Sequence, residues 1–146
     1  SELMTATHNF GTAPVRAAST ADTFKAALYL ASATINASTT AYTATGEVTG
    51  TGYTAGGVTV TNATAPASTN TSSTAGTAYW TPSASITYTS VTLTTAFDAV
   101  LIYNSSKSNK AVSVHTFGSQ TVTAGTFTLT MPSNTTSTAL LRLATT

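Results

Sequence analysis

Three side chains in the second half of the chain could be assembled into a hydrolytic triad: Ser113, His115 and Asp98. Residues two apart on a strand share a face, so a strand over 111–117 would set the Ser113 hydroxyl beside the His115 imidazole. Asp98 would then open the neighbouring strand. A serine nucleophile also needs a sharp elbow and oxyanion donors, and no such motif surrounds Ser113. The plainer alternative is a strand histidine partnered by hydroxyls, and the sequence predicts no catalytic residue and no enzyme.

Metal and cofactor chemistry find less. His8 and His115 are far apart, and neither has a carboxylate at ligand spacing. The four acids, Glu2, Asp22, Glu47 and Asp98, are scattered singly, whereas calcium sites gather several oxygens close together. The segment Gly50-Thr51-Gly52-Tyr53-Thr54-Ala55-Gly56 has the look of a dinucleotide fingerprint with its spacing off by one. A phosphate needs a helix N-terminus after such glycines, and here the alternating Val58-Thr59-Val60-Thr61 follows. These glycines read instead as positive-φ turns or points of close backbone approach. Asn-x-Ser/Thr occurs at Asn36, Asn62, Asn70, Asn104 and Asn134, a match that arises readily in a Ser/Thr-rich chain and matters only with a secretory signal. No metal and no cofactor are expected.

Composition explains this poverty. Charged residues make up 6% of the 146 residues, against about 25% in an ordinary soluble domain. The surface must therefore be built from Thr, Ser, Ala and Asn, and a near-neutral hydroxyl surface suits packing against copies of itself or a larger assembly. The net charge of +1 offers no electrostatic lever. Binding a phosphate backbone takes several Lys/Arg on one face, and only Lys107 and Lys110 come near that, so no nucleic-acid partner is expected. No apolar run approaches the roughly 20 residues that cross a bilayer, so no membrane partner is expected either. The chain has no cysteine, which removes disulfides, thiolate zinc and cysteine nucleophiles and leans toward synthesis in a reducing cytoplasm. No stretch pairs basic residues with a long apolar run as a signal peptide does, so production in a cytosol without export is expected.

The elements that must carry these residues are strands. Thr, far above ordinary usage, is β-branched and favours outward strand positions. Residues 1–22, with Pro14 and no clear period, read as an N-terminal arm, with Leu3, Met4 and Phe10 as candidate anchors on a neighbour; a frayed terminus is the alternative. From 23 to 146 the reading is a single β-domain. Phe24, Ala26, Leu28 and Leu30 fall at period two with Lys25 and Tyr29 outward. Residues 41–57 form a glycine-punctuated loop and 63–76 a surface excursion.

Over 85–95, Ile86 and Tyr88 share one parity and Val91 and Leu93 the other, which predicts a bulge near Thr89-Ser90. Asp98 to Tyr103 is apolar enough for a strand covered on both faces, 104–110 is a turn, and 111–117 returns as its partner. Gly118-Ser119 is expected to turn a hairpin, followed by strands at 120–124, 126–131 and 139–143. The class expected is all-β: an antiparallel sandwich or barrel of jelly-roll or immunoglobulin-like type with an extended N-terminal arm. Trp80 reads as capping the core, while Tyr42 and Tyr53, set among glycines and threonines, read as interface aromatics.

Four blocks carry a family resemblance: Thr23-Phe24-Lys25-Ala26-Ala27-Leu28-Tyr29, Ala37-Ser38-Thr39-Thr40-Ala41-Tyr42, the run from Gly46 to Gly57, and Ala99 to Lys107. In order and spacing the chain from about Thr23 onward resembles small structural proteins of tailed bacteriophages. The resemblance implies a virion component without enzymatic activity, made in the host cytoplasm. The expected role is a capsid decoration or cement protein on the capsid surface, partnered by the major capsid protein or other virion proteins and assembled as a homo-oligomer, with a trimer as one symmetry. The alternatives are a tail, neck or fibre component, or a carbohydrate-binding adhesin using Tyr42, Tyr53 or Trp80.

Overall fold

The computed structural model describes residues 22–62, 66–69 and 76–144. Seven strands fall there: β1 (Phe24–Leu30), β2 (Val58–Thr59), β3 (Ala67–Ser68), β4 (Thr77–Trp80), β5 (Ile86–Asn104), β6 (Lys110–Leu129) and β7 (Leu141–Ala144). They form two antiparallel sheets, in the orders β2-β1-β5-β6 and β3-β4-β7, with no helix among the described residues. The fold is all-β, as the patterning predicts. The expected arm lies outside the described residues up to Ala21. By its contacts the chain divides into two compact units, one of Asp22–Val60 with Ile86–Leu129 and one of Thr61–Ser85 with 130–144.

The first unit is organised by the long β5–β6 hairpin. The parity slip sits where the sequence places it: register shifts between Tyr88 and Val91, and Ser90 takes a φ of 54°. With Thr89 and Ser90 spilled outward, Ile86, Tyr88, Val91 and Leu93 all turn inward and are buried. Farther along, every residue from Ala99 to Tyr103 is buried, because both faces are covered. One face packs Ala27, Tyr29, Ala99, Leu101, Tyr103 and Ala111 beneath Ala33, Ile35 and Tyr42. Ala26, Leu28, Val100 and Ile102 fill the other face by alternation. Fully burying each large apolar side chain contributes about 1.5–3 kcal/mol. Phe97, Phe117 and Phe127 meet across the hairpin with ring centroids 5.0–6.1 Å apart.

Two expectations are corrected here. Tyr29 does not point outward: it is fully buried, because residues 33–42 cover the face that a period-two reading leaves to solvent. Gly118-Ser119 does not turn a hairpin either, for β6 runs unbroken through it and the expected strands over 111–131 are one. A 19-residue β5 offers a partner along that whole length, and ladder bonds outweigh a local turn preference. Between the strands, the Asn104 side chain organises the turn. Its Oδ1 accepts the Ser106 N–H (3.0 Å) and its amide donates to Asp22 Oδ2 (2.7 Å), while Lys107 pairs with Asp22 at 3.9 Å.

The second unit is a small sheet in which β4 pairs with both β3 and β7. Trp80 is buried there, as expected for a core residue, and its indole N–H donates to Asn62 Oδ1 (3.1 Å). The excursion over 63–76 is not featureless: Ala67–Ser68 forms β3, and residues 63–65 and 70–75 lie outside the described set.

Candidate functional site

The most organised polar feature of the first unit grows from a gap in a ladder. β1 has β5 along one side, but on the other side β2 pairs only with Lys25 and Ala26. A buried strand cannot leave its backbone groups unmatched. The Val60 N–H therefore donates to the Phe24 carbonyl (2.8 Å), the Val48 N–H to that of Leu28 (3.0 Å), and the Leu30 N–H to that of Gly46 (2.9 Å). Tyrosines serve two further groups. The Tyr88 hydroxyl donates to the Ala26 carbonyl (2.8 Å), and the Leu28 N–H donates to the Tyr53 hydroxyl (3.0 Å).

The Tyr53 hydroxyl in turn donates a hydrogen bond to Glu47 Oε1 at 2.7 Å. The same oxygen accepts the Gly56 N–H at 2.7 Å, and Oε2 accepts the Tyr42 hydroxyl at 2.7 Å. Glu47 is 7% exposed, so these are short, charge-assisted bonds in a site largely withdrawn from water. Around it the Tyr103 hydroxyl donates to the Gly56 carbonyl (2.8 Å) and that of Tyr29 to the Thr43 carbonyl (2.6 Å). Tyr42 stacks on Tyr103 at 4.8 Å, and Tyr53 on Tyr88 at 6.0 Å. Glycine makes the approach possible: Gly57 takes a φ of 72°, and any Cβ there would strike the Ala26 carbonyl oxygen.

Burial pushes these hydroxyls above their ordinary range, Tyr29 to about 12. Tyr42, Tyr53, Tyr88 and Tyr103 move the same way. Desolvation is the larger cause in each, and the Glu47 carboxylate adds to it, since a phenolate beside it would set like charges together. Both oxygens of Glu47 accept donors from the chain itself, so its evident work is to clamp 42–56 onto β1.

Tyr42 and Tyr53, singled out as interface aromatics, thus have their hydroxyl ends turned inward, and both rings are half-buried. Leu3, Met4 and Phe10 lie outside the described residues. Sequence reasoning passed over Glu47, Tyr29, Tyr88 and Tyr103. One signal could have found the first: Glu47 is the only charged residue between Lys25 and Asp98, and a tyrosine lies on either side of it. Of the triad, Ser113 Oγ and His115 Nε2 meet at 2.9 Å, and burial lowers the His115 pKa. Register sets His115 opposite Val100 and Ser113 opposite Ile102. Asp98 makes no hydrogen bond or ion pair to His115 among the described residues. Among those residues no three His, Asp or Glu side chains gather as metal ligands, and no helix is long and apolar enough to cross a membrane. No family model, curated protein or solved structure matches this chain.

Proposed function

We propose that this chain is a non-enzymatic structural protein of a bacteriophage virion, acting as a capsid decoration or cement protein on the major capsid protein. The observation that carries the reading is where the four resembling blocks fall. Tyr29, Tyr42, Glu47, Tyr53 and Tyr103 all lie within them, and with Tyr88 from outside the blocks they make up the cluster around the buried carboxylate. What the blocks have in common is therefore a clamp that fixes a glycine-rich loop in one shape. A fixed loop on a hydroxyl-rich, charge-poor surface suits docking against a repeating shell.

With so few ionisable groups, such docking depends little on ionic strength, because screening acts on charge pairs. The test adds purified protein to undecorated capsids and follows co-sedimentation at low and high salt together with capsid heat tolerance. Binding that survives salt and raises the tolerance supports the role. Capsids that bind nothing and melt unchanged refute it, and binding confined to tails moves the protein to a tail, neck or fibre address.

A further inference from the structure

Among the described residues no strand lies on the outer edge of β6. At its start the chain closes the edge itself: the Tyr42 N–H donates to the Asn109 carbonyl (2.9 Å), the Ala111 N–H to that of Thr40 (2.9 Å), and Ala41 bridges to Lys110. Beyond that point residues 35–39 leave the edge, and from Val112 to Leu129 no strand among the described residues pairs with it. A groove of about 370 Å³ opens where they part, with Ile35, Ala37 and Thr39 on one side and Ser113, Val114 and Thr116 on the other.

Folded proteins blunt such an edge with charge, proline, brevity or bulges. Here β6 is 20 residues long, contains no proline, and has Lys110 as its only charged residue; no charge follows until Arg142. Bulges remain, and they break the register into short runs. The run Ser113–Thr116, opposite Ala99–Ile102, is regular, and it is the run that borders the groove.

We infer that the edge over 112–116 pairs antiparallel with the same edge of a second copy of this chain, across a two-fold axis. A row of N–H and C=O groups is complemented by another extended backbone. In antiparallel sense a strand complements itself, as an isologous contact requires. The absence of charge on the segment removes the like-charge opposition that would otherwise penalise two identical strands. The adjoining groove gives the partner's backbone room beside Val114, and Ile35 and Ala37 supply apolar wall. The inference goes beyond the proposed function and gives a contact to the homo-oligomer expected from the sequence.

The cysteine-free chain allows a direct test. Single cysteines are placed in turn at 112–116 (V112C, S113C, V114C, H115C, T116C), the proteins are oxidised, and dimers are counted. Only the position on the axis brings two identical Cα atoms within disulfide reach, roughly 4.4–6.8 Å, so one variant should cross-link efficiently and its neighbours poorly. In the unmodified protein, hydrogen exchange of those 112–116 amides that face away from β5 should slow on the order of tenfold between dilute and concentrated samples. Absence of any cross-link, together with concentration-independent exchange, overturns the edge contact. If sedimentation still shows an oligomer in that case, the edge is wrong and the oligomer stands; a monomer at all concentrations removes both.

Discussion

Glu47→Ala is the sharpest perturbation the structure offers. The carboxylate accepts three hydrogen bonds at 2.7 Å, from the hydroxyls of Tyr42 and Tyr53 and the N–H of Gly56. Removing it leaves the buried Gly56 N–H and the part-buried Tyr53 hydroxyl without an acceptor, while the Tyr42 hydroxyl can turn to water. Each orphaned buried donor costs about 1–3 kcal/mol, and with the lost side-chain packing the total comes to about 3–5 kcal/mol. That is a large part of the 5–15 kcal/mol typical of a folded domain. Thermal unfolding should move down by roughly 10–15 °C for a chain of this size.

Glu47→Gln separates geometry from charge. The amide oxygen still takes Gly56 and Tyr53, and Tyr42 can accept from the amide nitrogen, so the cost falls to about 1–2 kcal/mol, the charge-assisted part of the bonds. The assay is urea unfolding of wild type and both variants, followed by tyrosine signals, since five of the six tyrosines lie in the first unit. An alanine variant within about 1 kcal/mol of wild type would refute the clamp, since the orphaned donors alone exceed that. A glutamine variant as damaged as alanine would mean that the hydrogen-bond geometry is not what matters.

The other predictions follow from the same neighbourhood. Above pH 10 the unfolded chain ionises its tyrosines while the folded state resists, so stability should fall with rising pH. The loss is about 1.4 kcal/mol per pH unit for each buried tyrosine, and Tyr29 stops contributing near pH 12, where its folded form also ionises; tyrosinate absorbance and circular dichroism should then change together rather than in sequence. Gly57→Ala should cost about 3 kcal/mol or more in a denaturant midpoint, because it combines a left-handed φ with a clash against the Ala26 carbonyl. Ser90→Gly should do the opposite, raising stability by about 0.5–1 kcal/mol in the same measurement, since it relieves a φ of 54° at an exposed residue.

How far these features could be read in advance depends on how local their causes are. The bulge at Ser90 is legible because parity is a property of neighbouring residues: Ile86 and Tyr88 cannot share a core with Val91 and Leu93 unless something slips. The double coverage of 99–103 is legible for the same reason. Gly118-Ser119 misled because a turn-forming pair looks alike whether or not a long partner strand lies opposite. Tyr29 misled because which face is covered depends on residues 33–42, which no periodicity within β1 reveals. The Glu47 clamp was hidden most thoroughly. Its donors come from Tyr42, Tyr53 and Gly56 and its surroundings from Tyr29, Tyr88 and Tyr103, and only the folded chain brings those six positions to one carboxylate.

The fastening at Asp22 has a mechanical consequence. The polypeptide enters β1 there, pinned by Asn104 and Lys107 to the far turn, and β1 is bonded along its whole length to β5. A pull on that end acting along the strand axis therefore loads the rungs to β5 together instead of peeling them apart one at a time. A molecule tethered by that end would give way at high force and abruptly.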